Sequence, residues 1–350
     1  MTITQSLYHT FQRYRTLQTD HIMVLPIVIL MPHSSCNCRC VMCDIWKDNK
    51  NLKQLSENDI QYLLQSFKKL GTRQVVMSGG EALMHPNFFR FCEIINRQNI
   101  KVTLLSTGIT LERNAEQIVS HVGELIVSLD GDEVTHNHIR NIPDAFKKLK
   151  QGIKKIRAID KNFKITGRSV IHKSNFRQWT NIIEAAKEIE LNQISFLPAD
   201  ISSHAFNREV LWSEQRQHEI LPDENELAGL KNVLDEICVK YKSDFDSGFI
   251  AESPVKLQKI YQYYAAFFNL NPFPYKKCNA PWVSAVVEAD GTVRPCFFHP
   301  PSGNIHDQPL DKILNSNEAL DFRKKLDIKT DSTCIKCVCY LNLSPGTKLN

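Results

Sequence analysis

Six short, nearly continuous apolar segments alternate with amphipathic helical segments through residues 22–200 of this chain. Segments rich in Val, Ile and Leu without polar alternation are typical of parallel strands that helices cover on both faces. The strand candidates are Val24–Met31, Gln74–Met77, Lys101–Ser106, Glu124–Leu129, Lys164–Ile171 and Gln193–Pro198. Because six strand–helix units fall short of the eight of a closed barrel, the pattern predicts an α/β fold with a partial (β/α)6 TIM-like barrel.

The helices between these strands have recognisable ends. Ser56 and Asp59 form a capping-box pattern, and Gly71 stands where a helix from Ser56 to Leu70 would end. Further helices are predicted at Pro86–Arg97, Leu111–Ser120, Pro143–Ile159 and Asn175–Ile189.

The pattern changes after residue 200. Residues 201–220 are polar and irregular, two helices are predicted near 224–243 and 254–268, and a proline-rich stretch at 271–274 marks a boundary. A cysteine-rich segment follows, with a β-hairpin predicted around Asp290-Gly291. We therefore expect a polar lead-in (1–21), the barrel (22–200), a substrate-facing loop and helical linker (201–275) and a small module (276–350).

Composition and charge exclude several classes of protein. The net charge is only +5, and the lysines are scattered along helices, which argues against a nucleic-acid partner. The apolar run from Ile22 to Met31 contains a proline, is too short to span a bilayer and lacks a secretory cleavage site, so we expect a cytoplasmic protein without a membrane partner. In a reducing compartment the eleven cysteines are better explained as metal ligands than as disulfides.

The first cysteine group follows the first strand, at the end of the barrel where such enzymes carry their chemistry. Cys36, Cys40 and Cys43 form a Cys-x3-Cys-x2-Cys array, with Cys38 between them as a free or neighbouring thiol. Three thiolates suit an iron–sulfur cluster with one open iron, whereas a structural zinc site would need a distant fourth cysteine.

A glycine-rich segment, Ser78-Gly79-Gly80-Glu81, follows the second strand, where missing side chains let a ligand lie close to the backbone. Together with the cysteine array it resembles the radical S-adenosylmethionine (SAM) superfamily. The resemblance implies that the three cysteines bind a 4Fe–4S cluster whose fourth iron takes SAM. It also implies that this segment binds the methionine part of SAM.

Later strand ends add candidates for the same pocket. Ser106 begins the segment Ser106-Thr107-Gly108, and Ser128 begins the segment Ser128-Leu129-Asp130-Gly131; both segments resemble segments of the family. Ser128 is the candidate for binding the ribose of SAM. Arg168, within the fifth strand, is expected either to pair with the SAM carboxylate or to form a buried ion pair. Structural roles are expected for three polar residues after the fourth strand: Asp130, His136 and Arg140.

The second cysteine group lies near the C-terminus. It reads Cys278, then Gly291-x4-Cys296, then Cys334-x2-Cys337-x-Cys339, and it resembles SPASM/Twitch auxiliary-cluster modules. Five cysteines suffice for one four-thiolate cluster, which favours the shorter Twitch form. The resemblance implies four ligands, Cys278, Cys296, Cys334 and Cys337, with Cys339 as the spare or the substitute. Zinc held by the same four residues is the alternative.

The resemblance also implies the reaction. A reduced cluster cleaves SAM to a 5′-deoxyadenosyl radical, which removes hydrogen from a substrate, with electrons from a donor such as flavodoxin or ferredoxin. A closed auxiliary cluster would favour a net oxidation. No catalytic acid or base is identified from the sequence.

Three functions are compared. The favoured one is a radical SAM enzyme acting on a small molecule, such as a sugar or a natural-product or cofactor intermediate. The alternatives are a maturase of a ribosomally made peptide and a non-catalytic zinc-binding module.

Two features favour the small molecule: only 35 residues precede Cys36, and one auxiliary cluster is expected. The ending Thr347-Lys348-Leu349-Asn350 lacks the Gly-Gly tail of the family's molybdenum-cofactor enzyme and disfavours that activity. The polar segment 199–212 is expected either to face the substrate or to be an ordinary surface loop, with four candidates: Ser202, His204, Asn207 and Arg208.

Overall fold

The computed structural model describes residues 3–208 and 210–347, so Lys348, Leu349 and Asn350 of the C-terminal ending lie outside the described residues. The strands are β1 (Ile27–Leu30), β2 (Gln74–Met77), β3 (Lys101–Ser106), β4 (Glu124–Ser128), β5 (Ile165–Ile171), β6 (Gln193–Pro198), β7 (Ser284–Val287), β8 (Thr292–Arg294) and β9 (Gly303–Asn304). The helices are α1 (Ile3–Thr19), α2 (Glu57–Lys69), α3 (Phe88–Asn96), α4 (Leu111–His121), α5 (Glu133–Arg140), α6 (Ala145–Ile159), α7 (Trp179–Glu188), α8 (Glu214–His218), α9 (Glu224–Lys240), α10 (Lys242–Asp246), α11 (Pro254–Ala266), α12 (Ala280–Val283), α13 (Leu310–Ile313), α14 (Asn317–Lys325) and α15 (Ser332–Lys336). Short 3-10 turns occupy Ile45–Asp48, Ala82–Met84 and Phe176–Gln178.

All nine strands form one sheet in the order β6-β5-β4-β3-β2-β1-β7-β8-β9. The six predicted strands are confirmed, and each pairs in parallel with its neighbour along the chain, as in a partial barrel. β7 pairs in parallel with β1, with Ser284 opposite Ile27, while β8 and β9 add antiparallel strands. The cysteine-rich module therefore continues the barrel sheet, and the four domain limits stay predictions.

Local sequence signals explain the ends of helices α2 and α5. Ser56 and Asp59 form both hydrogen bonds of the predicted capping box at the start of α2, and Gly71 follows its end with φ of +61°. Helix α5 was not predicted, although Asp132 caps its first turn and Asn141 ends it in the left-handed conformation. It was missed because a helix of eight residues is too short to show a clear hydrophobic periodicity.

The two faces of the sheet pack against different partners. On β1, Val28 and Leu30 join the large core beneath the helices, whereas Ile27 and Ile29 belong to a separate cluster on the other face. That second cluster includes Leu343 of the C-terminal segment, whose backbone N–H donates to the Asn279 side chain at 2.9 Å. Among the described residues, none of the helices combines the length and apolarity that crossing a bilayer requires.

Candidate functional site

The loop that follows β1 gathers the first cysteine group. The Asn49 side chain clamps this loop at Cys36, accepting from its N–H at 3.0 Å and donating to its carbonyl at 2.9 Å. Burial raises the pKa of the Cys36 thiol to about 12, and the charges of Cys40 and Cys43 add to the effect, so the three thiols are neighbours. A hydrogen bond from Cys38 and the nearby Arg140 guanidinium lower the pKa of Cys40 below its usual value.

The glycine-rich segment after β2 packs directly on this loop. Gly79 has φ of +110°, and a Cβ atom on Gly80 would lie 2.2 Å from the Ser35 carbonyl oxygen, closer than any real contact. The Glu81 N–H donates to the same oxygen at 3.0 Å. The structure thus brings together the two motifs that the sequence paired, and only glycine fits where their backbones meet.

Glu81, the last residue of this segment, is fully buried, with 0% of its surface exposed. Its carboxylate accepts from the Thr107 N–H at 2.7 Å, the Thr107 hydroxyl at 2.6 Å and the Ser106 hydroxyl at 3.1 Å. Burial raises the pKa of Glu81, while these hydrogen bonds oppose that rise. The carboxylate therefore ties the end of β2 to the end of β3, and its binding of SAM stays a prediction.

The features around the cysteines fit the group that the resemblance implies. Clustered cysteine thiolates are the ligands that bind iron–sulfur clusters in proteins. Beside the three cysteines, the Asn37 side-chain amide and the Thr107 hydroxyl lie within hydrogen-bond distance, 2.9 Å apart, which ties the cysteine loop to the Glu81 network.

Helix α5 holds the cysteine loop from the other side. The carbonyls of Ile139 and Arg140 accept from the Val41 and Arg39 N–H groups, both at 3.0 Å. The Arg140 guanidinium donates to Cys40 Sγ at 3.5 Å and forms a buried ion pair with Asp130. The contact with Cys40 was not predicted, because His-x3-Arg spacing shows that two side chains share a helix face but not what they touch.

Asp130 and His136 complete this support, in line with the structural roles expected for them. The Asp130 carboxylate accepts from the Val170 N–H at 3.0 Å, and its own N–H donates to His136 Nδ1 at 3.2 Å. Burial lowers the pKa of His136 to about 3, so its ring is neutral and accepts this bond.

The remaining predicted SAM contacts lie on neighbouring strands, Ser78 and Ser128 at strand ends and Arg168 in the middle of β5. Ser78 continues the β1–β2 ladder through its N–H, 2.9 Å from the Leu30 carbonyl. Ser128 stands opposite Arg168 in the β4–β5 register. Arg168 donates through Nε to the Ser195 hydroxyl at 3.4 Å, and no carboxylate in the described part of the chain lies within ion-pair distance of it. Roles of all three residues in SAM binding stay predictions.

The predicted substrate-facing segment packs against the cysteine loop. Arg208 is buried in an ion pair with Asp200 at 2.5 Å, and its guanidinium carbon lies 3.8 Å from the centre of the Trp212 ring. Trp212 in turn donates to the Asp44 carboxylate at 2.6 Å. Arg208 thus anchors this segment to the residue that follows Cys43, which leaves its guanidinium little freedom to meet a substrate.

The other three substrate candidates in that segment are less buried than Arg208. His204 and Asn207 are exposed, and Ser202 is half-buried. The His204 ring forms a hydrogen bond with the Arg208 carbonyl at 3.0 Å. Contact of these residues with a substrate stays a prediction.

The second cysteine group also gathers in space. Burial raises the pKa of Cys296 to about 11, and the charges of Cys278 and Cys339 contribute, which places both nearby. Burial likewise raises the pKa of Cys337, with contributions from Cys339 and Cys296. Cys339 therefore belongs to the group rather than standing apart from it.

One further side chain at this group was missed by sequence reasoning. The His299 ring lies 3.3 Å from Cys334 Sγ, and His299, Asp331 and Cys334 bring one ligand atom each within 4.8 Å of one another. The only sequence signal was a histidine three residues after a predicted ligand, Cys296.

Two protein-family models match the parts of the chain that carry the two cysteine groups. The model of the radical SAM superfamily matches residues 30–186, and the SPASM model, an iron–sulfur cluster-binding domain, matches residues 278–338. The chain is a radical SAM enzyme with a C-terminal SPASM domain. These domains imply binding of SAM and of 4Fe–4S clusters.

Relatives of this radical SAM protein act on different substrates. It is 24% identical to an AdoMet-dependent heme synthase of Methanosarcina barkeri over 84% of this chain and 82% of that protein. It is 21% identical to the sporulation killing factor maturation protein SkfB of Bacillus subtilis, over 89% of this chain and 68% of that protein.

A solved structure with the same fold is that of Streptococcus suis SuiB bound to the precursor peptide SuiA. It matches with a TM-score of 0.64 at 14% identity, over 93% of this chain and 73% of that chain. At this identity the likeness shows the fold alone.

Proposed function

We propose that this radical SAM protein reductively cleaves SAM and removes hydrogen from a small-molecule substrate, a sugar or a natural-product or cofactor intermediate, in a net oxidation. The direct packing of the Cys36–Cys43 loop on Gly80 carries this proposal, because it places a three-thiol site beside the glycine-rich strand end. When bound, the cluster and SAM would supply the electron and the radical chemistry.

The protein's own residues would bind the cluster and fix the loop that carries its ligands. Cys36, Cys40 and Cys43 would bind three irons, while Asn49 and the end of α5 fix the loop that carries them. Arg140 donates a hydrogen bond to one of the ligand sulfurs. The buried Glu81 network keeps the two strand ends in register beneath the site.

The second group supports a net oxidation through one auxiliary 4Fe–4S cluster. Cys278, Cys296, Cys334 and Cys337 would close such a cluster, leaving no open iron, so that it serves as an electron acceptor. The proximity of Cys339 and of His299 to the same group makes each an alternative ligand.

The small-molecule assignment is supported by the match with the heme synthase, which spans most of both proteins. The peptide alternative is supported by the match with SkfB. In either case a flavodoxin or ferredoxin would supply electrons, and neither a membrane nor a nucleic acid takes part.

Anaerobic reconstitution with iron and sulfide tests the proposal. We expect about eight irons and eight sulfides per chain, as two 4Fe–4S clusters require, and dithionite-driven formation of 5′-deoxyadenosine from SAM. Zinc as the sole bound metal, with no SAM cleavage, would establish the zinc-binding module instead.

A further inference from the structure

A cleft between the barrel and the cysteine-rich module carries a marked excess of positive charge. It has a cavity volume of about 100 Å³, is open to solvent on one side, and lies between strands β5 and β6, helix α11 and the Cys337–Tyr340 segment. Four cationic side chains line it, Arg168, Lys256, Lys259 and Lys276, and the one carboxylate of its lining is that of Glu252.

The hydrogen bonds leave most of this charge unbalanced. Glu252 accepts from the Phe196 N–H at 2.9 Å and approaches Lys256 Nζ at 3.4 Å, so it offsets one cation. Within the described residues, Lys259 donates only to the neutral Tyr275 carbonyl, at 2.9 Å. Since an ammonium group has three N–H donors, two of those on Lys259 remain available.

Lys276 has a different partner from the other cations. It is buried, donates to the Ile335 carbonyl at 2.9 Å and lies close to the thiols of Cys337, Cys334 and Cys278. The thiolates of a bound auxiliary cluster would balance its charge. Arg168, Lys256 and Lys259 then remain for a ligand, with Glu252 as their single counter-charge.

The rest of the lining suits a compact organic molecule. Leu197, Ile260 and Tyr340 provide apolar surface between the charged groups. Arg168 presents a planar guanidinium, which can bind a carboxylate or phosphate through two parallel hydrogen bonds.

We propose that this cleft binds the substrate and that the substrate is a small molecule with at least two carboxylate or phosphate groups. Lys259 and Arg168 bind the anionic groups, and the apolar side chains of the cleft pack against the rest of the molecule. The inference rests on the proposed function and names the substrate class for it. It competes with the expectation that Arg168 pairs with the SAM carboxylate, so its test centres on Lys259.

The test uses the reconstituted holoenzyme with saturating SAM, and isothermal titration with citrate and with inorganic pyrophosphate as probes. We expect one of them to bind and Lys259→Gln to weaken that binding about tenfold, since a charged hydrogen bond contributes about 1.5 kcal/mol. Lys259→Arg should restore binding, and Lys242→Gln, at an exposed position on α10, should leave it unchanged. Preference for citrate indicates carboxylates on the substrate, and preference for pyrophosphate indicates phosphates.

Two results would overturn the inference. One is that neither small anion binds, including the case in which a tetraglutamate peptide binds instead and points to a peptide. The other is that Lys259→Gln weakens binding no more than Lys242→Gln does. SAM cleavage to 5′-deoxyadenosine, measured in the same samples without any anion, separates this inference from the proposed function: intact cleavage without anion binding refutes only the former.

Discussion

Replacing Arg140 by methionine should destabilise the protein more than replacing Arg140 and Asp130 together. Arg140→Met removes the partner of the Asp130 carboxylate, which is 0% exposed and keeps the Val170 N–H as its main remaining donor. Breaking a buried ion pair from one side costs about 3–5 kcal/mol, because the remaining charge stays buried without compensation. In the double variant Asp130→Asn/Arg140→Met no charge is left, so we expect a loss of about 1–2 kcal/mol.

The measurement is urea unfolding of the metal-free proteins under reducing conditions, followed by circular dichroism. Lys242→Met serves as the control, because Lys242 is exposed and should change stability by less than about 0.5 kcal/mol. A single variant as stable as the double variant would refute the claim that the Asp130 charge depends on Arg140.

The same pair allows a second readout after reconstitution. A hydrogen bond to a cluster sulfur stabilises the reduced, more negative cluster and so raises its reduction potential. The double variant, which lacks the Arg140–Cys40 contact, should therefore have a lower midpoint potential for the first cluster in an EPR-monitored titration. An unchanged potential would mean that the contact does not persist in the loaded protein.

Three further predictions concern the metal sites. Cys36→Ala should abolish 5′-deoxyadenosine formation with dithionite while leaving the second cluster's iron in place; surviving cleavage would show that the first site is misassigned. Gly80→Ala should lower both SAM cleavage and iron content, because its Cβ atom would lie 2.2 Å from the Ser35 carbonyl oxygen and displace the cysteine loop. Cys337→Ser should remove about four irons per chain, whereas Cys339→Ser should remove none; the opposite result would make Cys339 the ligand.

The strands were predictable because their signal is local. Each of the six barrel strands is a run of adjacent apolar residues, and burial on both faces needs nothing more distant to be recognised. The capping box at Ser56 was readable for the same reason. Helix α5 was missed, since eight mostly polar residues give a weak periodic signal even with a good cap.

The details of the site were less predictable, because they depend on residues far apart in the chain. The burial of the Glu81 carboxylate depends on Thr107, the residue after β3, and the contact of Arg140 with Cys40 spans 100 residues. The pairing of β7 with β1 joins segments more than 250 residues apart, so no local sequence pattern predicts it.

The sequence by itself determined the strand–helix order, the two cysteine groups and the glycine-rich segment, and with them the reaction class, since these depend on neighbouring residues and fixed spacing. Only the tertiary structure decided which charges stay unpaired. Lys259 and Lys276 belong to no motif in the sequence, and they gather with Arg168 in one cleft only after the sheet and helix α11 have packed. Charge balance depends on distances in space, so the excess of positive charge in this cleft follows from the fold rather than from any motif.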